Sequence, residues 1–238
     1  MTLVEYIVSI DTLIAQTLNH FATQDTTTNK LLALFSGNNF IKMAPFICMA
    51  AWFWNRTPHE HNRRIIISGL AGIFIAFFIG RILQVSLPFR LRPIHAPELN
   101  LLVPPGFSAE TLGGWSSLPS DHAAIFAALA GLAFALSRRA GMVATVYVAV
   151  FVLFPRIYFG EHYLSDVLVG TAIGELASYI TLRTSIGAAV AGPLDRMAIR
   201  FPAPFYAVAM LFVAQLIQMF ADVRMYGSVL KGLIQGTL

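Results

Sequence analysis

The chain has 238 residues, 57% of them hydrophobic and only 12% charged, with a mean hydropathy of +0.69. Soluble domains carry about 25% charged residues, so too few polar side chains remain to coat a water-facing globule, and the composition predicts a multi-span membrane protein. The net charge of +4 comes from basic residues in short links between apolar runs, which argues against a basic face for nucleic acid; Cys48 is the only cysteine, which excludes an internal disulfide and a cysteine-based metal site.

In chain order, residues 3–22 come first. Leu3, Ile7, Ile10, Ile14 and Leu18 recur at helical spacing, while Glu5, Asp11, Gln16 and Asn19 interrupt the rest. This pattern predicts a helix lying in the membrane interface, with a seventh, shorter crossing as the alternative, and it is unlike a cleaved signal peptide. Residues 23–30 read as a polar linker. Six apolar stretches follow, at 31–54, 64–87, 120–137, 140–157, 163–182 and 203–222. Each approaches the length of about 20 residues that a helical crossing needs. Ser137 to Gly141 form a tight turn between the third and fourth. The longest loop, 88–119, is rich in proline and glycine and carries Leu99, Leu101, Leu102, Val103, Phe107 and Trp115, which predicts a partial lid at the membrane surface.

The expected fold is therefore all-α: one polytopic transmembrane bundle of about six spans plus an N-terminal interfacial helix. Residues 1–30 form the interfacial helix and linker, 81–170 the motif-bearing region, and 203–238 an extra C-terminal span and tail. The links 55–63, 137–141 and 183–202 share one side and hold most of the basic residues, among them Arg56, Arg63, Arg138, Arg139, Arg183, Arg196 and Arg200. The positive-inside tendency assigns that side to the cytoplasm. The loop 88–119 and the link 156–162 then face the extracytoplasmic side of a cell membrane.

Three polar clusters converge on that second side. His162 and Asp166 lie four apart at the start of the fifth span, on one helical face. A carboxylate beside an imidazole fixes its tautomer and leaves the other ring nitrogen free to attack. Arg156, across a short turn, can grip phosphate oxygens in a fork. Ser120, Asp121 and His122 open the third span, where free backbone N–H groups favour an anion and His122 can supply a proton. Arg90 and Arg92 follow the second span, and Arg81 lies within it. Each cluster alone also fits a structural role, as a helix cap, a local salt link or arginines reaching toward headgroups.

Together the clusters are more specific. Arg92-Pro93, Pro119-Ser120-Asp121-His122, and Arg156 with His162 and Asp166 agree in order and spacing with a three-part signature: Lys-x6-Arg-Pro, Pro-Ser-Gly-His and Ser-Arg-x5-His-x3-Asp. The chain thereby resembles the type 2 phosphatidic-acid phosphatase family over about residues 81–170. Three positions depart from the pattern. Val85 stands where the family has lysine, with Arg81 or Arg90 as candidate replacements. Asp121 replaces a glycine, and Pro155 replaces a serine. The resemblance implies that Arg92, Ser120 and Arg156 hold a phosphate, that His162, oriented by Asp166, attacks phosphorus, and that His122 protonates the leaving oxygen and then activates water. Asp121, Arg81 and Arg90 are the remaining candidate phosphate-site residues.

The Pro-Ser-Asp-His form is similar to that of bacitracin-resistance-type undecaprenyl-diphosphate phosphatases. It implies a lipid phosphate or diphosphate substrate in the bilayer, with undecaprenyl diphosphate hydrolysed to undecaprenyl phosphate through a phosphohistidine as the expected reaction, without cofactor or metal. His59-Glu60-His61 reads as a solvated loop on the other side. Phosphatidylglycerophosphate, phosphatidic acid and lipid A are alternative substrates, and phosphate transfer to another lipid is an alternative reaction. A membrane transporter or lipid-binding scaffold is the alternative of another class. The sequence identifies no protein partner.

Overall fold

Among the described residues every regular element is helical. The computed structural model describes residues 2–24, 26–105 and 114–221. The helices are α1 (Leu3–Gln24), α2 (Thr26–Gly37), α3 (Asn39–Trp54), α4 (His59–Ser86), α5 (Asp121–Leu136), α6 (Arg138–Tyr158), α7 (Leu164–Arg183), α8 (Ser185–Arg200) and α9 (Pro202–Ile217). Two short 3₁₀ turns, Pro93–His95 and Pro97–Leu99, shape the long loop. Helix α6 contains a π-helical stretch, Val148–Leu153, two residues ahead of Arg156.

Helices α4 and α6 are long and apolar enough to cross a membrane, and the bent pair α2–α3 adds a third candidate. Helices α5 and α9 are apolar but shorter. Large apolar side chains such as Phe74, Ile82, Val143, Val146, Leu176 and Leu211 point outward, the surface of a protein meant for lipid.

Three expectations are corrected. The polar segment 23–30 is helical over most of its length, because Thr26–Lys30 form the first turns of α2. Asn29 is buried there and donates to Ala22 O at 2.5 Å, so its amide ties α2 back onto α1. The stretch 31–54 is not one continuous helix: it breaks at Gly37–Asn38 and its axis bends by 61°. Asn38 caps α3 by accepting from Ile41 N at 3.1 Å, which restarts the helix in a new direction. The basic link 183–202 is an additional helix, α8, anchored where Arg63 of α4 meets the buried Asp195 at 2.7 Å.

Helix α1 forms as expected, yet its inward face is polar. The buried residues are Asp11, Ala15, Asn19 and Ala22, one per turn, while Leu3, Val4, Ile7 and Leu13 are exposed. Asn19 both donates to Leu102 O at 2.7 Å and accepts from Leu102 N at 3.0 Å. The interruptions in the apolar pattern are thus the docking face onto the long loop. Phe107, assigned to a lid, lies outside the described residues.

The centre of the bundle is α5, whose alanines 123, 124, 127, 128, 130 and 133 are all buried. Small residues let helix backbones approach closely where lipid offers no hydrophobic squeeze. A Cβ on Gly170 of α7 would lie 2.4 Å from Ser120 O, and one on Gly174 only 2.1 Å from Ala124 O. Helices α5 and α7 are therefore in backbone contact, which fixes their relative height.

Gly174→Ala forces these backbones apart and is expected to cost about 1–3 kcal/mol. Gly192→Ala, whose new methyl would meet only Arg196 Nη1 at 3.7 Å, is expected to change stability little. Thermal melting of both variants in detergent checks this; equal melting temperatures would refute the close contact.

Candidate active site

The α5–α7 contact brings two chain segments to one end of the bundle. Ser120 N donates to Asp166 O at 3.2 Å, joining the start of α5 directly to the first turn of α7. The end of α6 enters the same place through a tight turn. Gly160 there has φ of +69°, a conformation that favours glycine, and its carbonyl accepts from Ile94 N at 2.9 Å. That bond draws the Arg92–Ile94 strand of the long loop over the turn. The ends of α4, α5, α6 and α7 thus deliver all the residues singled out from the sequence to one face.

His162 is 3% exposed. Its Nδ1 lies 2.9 Å from Ser117 O, and its Nε2 lies 3.0 Å from Arg92 Nη1. A carbonyl oxygen only accepts and a guanidinium only donates. The ring is therefore neutral, with its proton on Nδ1 and the Nε2 lone pair facing Arg92. Burial pushes the imidazole down to about 4; the Asp166 carboxylate offsets this only in part, and the nearby Arg92 and Arg156 guanidinium groups lower it as well. A neutral nitrogen lone pair held against a cation is poised to attack an electrophile that the same cation binds.

Asp166 is fully buried. Its nearer oxygen lies 3.8 Å from His162 Nδ1, an ion-pair distance rather than a hydrogen bond. It accepts instead from Ser117 Oγ, from Tyr163 N at 2.8 Å and from Arg90 Nη1 at 2.7 Å. Asp166 thus fixes Ser117, and Ser117 fixes the imidazole. Arg90 is clamped between Asp166 and the buried Asp11 of α1, 2.8 Å from the latter, over the face of Tyr163.

On the other side of the site, Arg156 Nη2 lies 2.7 Å from His122 Nε2. The same nitrogen donates to Ser36 O at 3.2 Å, and Nη1 donates to Glu161. His122 is half-buried and stacks on Phe126. Arg92 Nη1 also donates to Glu161 O at 2.7 Å, so the two arginines flank one turn. Ser120 is fully buried; its Oγ accepts from Ala123 N at 3.4 Å as the helix cap. Asp121 pairs with Arg81 at 3.0 Å, and Arg81 also bonds Gln84 and lies over the Trp115 ring. Val85, at the position of the absent lysine, is 64% exposed and points away.

Five contributors escaped the sequence reading: Asp11, Ser36, Lys42, Ser117 and Glu161. Glu161 had a visible signal, a lone acid beside His162 in an apolar stretch. Asp11 had one too, as a charge inside an otherwise apolar helix. Lys42 had the same signal, a charge inside the apolar run 31–54, whereas Ser36 and Ser117 gave none, because they act through contacts distant in sequence. His59, Glu60 and His61 start α4 at the other end, exposed, with Glu60 paired to Arg64.

The arrangement has the parts for phosphoryl chemistry: a neutral nucleophilic nitrogen, flanking guanidinium groups, a helix start, and a second imidazole across the gap. No curated protein and no solved structure matches the chain. The family model of the PAP2 superfamily matches residues 66–188, just over half of the chain and the span that runs from α4 through the end of α7. With that match resting on the helices that carry His122, Arg156 and His162, the chain belongs to the PAP2 superfamily and is a phosphatase acting on phosphoryl esters.

Proposed function

We propose that this protein is a six-span membrane phosphatase that removes phosphate from a lipid, with undecaprenyl diphosphate, cleaved to undecaprenyl phosphate, as the substrate. One observation carries the reading: the Nε2 lone pair of the neutral His162 faces Arg92 at 3.0 Å. In the proposed reaction, Arg92, Arg156 and Ser120 hold the terminal phosphate. Nε2 attacks phosphorus and the bond from phosphorus to the leaving oxygen breaks, while His122 donates a proton to that oxygen. The phosphorylated imidazole keeps its Nδ1 proton, and Ser117 O with Asp166 behind it stabilises the positive ring. His122 then takes a proton from water, the water oxygen bonds to phosphorus, and the P–N bond breaks. Inorganic phosphate leaves, and His162 returns to its starting state.

Asp121 and Arg81 form the rim of the proposed site. The paired aspartate places little net negative charge near an incoming diphosphate. Outward apolar faces on α4, α6 and α7 support a substrate drawn sideways from the bilayer. The basic ends of α4, α6, α7 and α8 lie opposite the site, which supports an extracytoplasmic active site in a cell membrane. Two long apolar helices, the bent α2–α3 pair and the shorter α5 and α9 leave α7 to complete six crossings.

His162→Ala is expected to reduce phosphate release by about 10³-fold or more, and to abolish an acid-labile phosphoenzyme. His122→Ala is expected to reduce release by about 10²–10⁴-fold. The assay is phosphate release in detergent from prenyl diphosphates, phosphatidic acid, phosphatidylglycerophosphate and lipid A. Turnover retained by His162→Ala would refute the nucleophile, and a preference for another lipid would refute the prenyl substrate. Phosphate appearing on an acceptor lipid would favour transfer over hydrolysis.

The pH dependence has a definite sign. Burial disfavours the charged imidazolium, so His162 stays neutral until the pH falls to about 4 rather than the ordinary 6.5. In a His122→Gln background, where the second imidazole is gone, phosphoenzyme formation is expected to persist at pH 5. A fall centred near 6.5 in that variant would contradict it.

A further inference from the structure

Lys42, in the first turns of α3, has no exposed surface at all. A buried ammonium group is costly unless something balances its charge. Its Nζ donates to Ser36 O at 2.9 Å, and a carbonyl offers only a partial charge. Among the described residues, no carboxylate lies within ion-pair distance of it.

The neighbouring arginines are placed differently. Arg81 pairs with Asp121, Arg90 with Asp11 and Asp166, and Arg156 with Glu161. Ser36 links Lys42 to this set. Its carbonyl, in the last turn of α2, accepts from both Lys42 Nζ and Arg156 Nη2, and its hydroxyl donates to Glu161 Oε1 at 3.1 Å. Carbonyls at a helix C-terminus attract cations, so the end of α2 gathers two of them at one oxygen. The bend between α2 and α3 is what brings Ser36 and Lys42 together: a straight helix would carry residue 42 past the site along the bundle. Lys42 therefore places an amine without a counter-ion immediately behind the guanidinium that faces His122, where burial and Arg156 disfavour its charged form until an anion enters.

We propose that Lys42 is a positioning residue for the phosphate: it shares the Ser36 carbonyl with Arg156, so bounding where that guanidinium can sit, and its amine carries the positive charge that balances a phosphate dianion when one is bound. This rests on reading the space between Arg92, Arg156 and His162 as the phosphate site. Lys42 lies outside residues 66–188, so this contribution comes from a part of the chain beyond the family match. It does not touch the substrate; it sets the field that the substrate enters.

The test uses the full-length protein in detergent, with orthovanadate as a phosphate-like probe free of any lipid tail. Lys42→Met removes the charge and the hydrogen bond. Lys42→Gln keeps a donor in the side chain but drops the charge. Both are expected to weaken vanadate binding by about tenfold to a hundredfold, while melting temperatures stay equal to or rise above that of the unaltered protein, since a buried amine without a counter-ion is gone. Lys42→Arg, which restores the charge, is expected to recover binding relative to Lys42→Met. A purely structural lysine would give the opposite pattern: lower melting temperature and unchanged vanadate affinity in the folded fraction. Unchanged affinity in Lys42→Gln overturns the proposal, even if Lys42→Met does not fold. Absence of vanadate binding in the unaltered protein would instead overturn the phosphate-site reading itself.

Discussion

Two absent side chains hold the rest of this molecule in place. Because Gly170 and Gly174 carry no Cβ, the α7 backbone lies against the carbonyls of Ser120 and Ala124. Helices that meet through long side chains can slide and repack; helices that meet through backbone have one height. That height places the start of α5 level with the start of α7, and so brings Ser120, His122, His162 and Asp166 to one end of the bundle. The same contact lets Ser120 N reach Asp166 O, which extends the register into the site. Catalytic geometry here begins with residues that have no chemistry of their own.

Around that contact the buried charges form two assemblies, bridged by Arg92, which donates to Glu161 O and faces His162 Nε2. One joins Asp11, Arg90, Ser165, Asp166 and Ser117, and ends on His162 Nδ1. The other joins Lys42, Ser36, Glu161 and Arg156, and ends on His122 Nε2. Each proposed proton- or phosphate-handling ring is thus oriented by its own network. Both networks draw on the N-terminal helices, from α1 in the first case and from α2 and α3 in the second. The helices before residue 66 are therefore part of the active-site scaffold, although the family match begins only there.

Much of this was legible in the sequence, for identifiable reasons. His162, Asp166, Arg156, Ser120 and His122 stood out because they occur together in one order and spacing at the edges of apolar runs, and the structure brings them to one end. The helical class followed from composition. The α2–α3 break had a signal in Ser36-Gly37-Asn38-Asn39, a stop residue followed by a cap residue, but the apolar residues on both sides outweighed it in reading 31–54 as one stretch. Helix α8 was hidden because its basic residues resemble a loop when helical spacing is not weighed. The helix of α1 was legible but its docking partners were not: its apolar residues Leu3, Ile7 and Leu13 turn outward, and the contacts of Asp11 and Asn19 lie about 80 to 150 positions away. Ser117 and Ser36 could not be found at all, since nothing local links them to residues about 45 to 120 positions away.

The π-helical stretch in α6 carries one last consequence. An α-helix turns about 100° per residue, and a π turn takes in an extra residue without extra rise. The lower part of α6 packs on α5 through Gly141 and Ala144 under one angular setting, while Arg156 beyond Val148–Leu153 obeys another. The stretch acts as a gear between them: it lets a lipid-facing helix keep its packing seam and still aim its final guanidinium at His122. Evolution of such a helix is then constrained by residue count as much as by residue type, because losing one position there would swing Arg156 off the site by roughly a quarter turn.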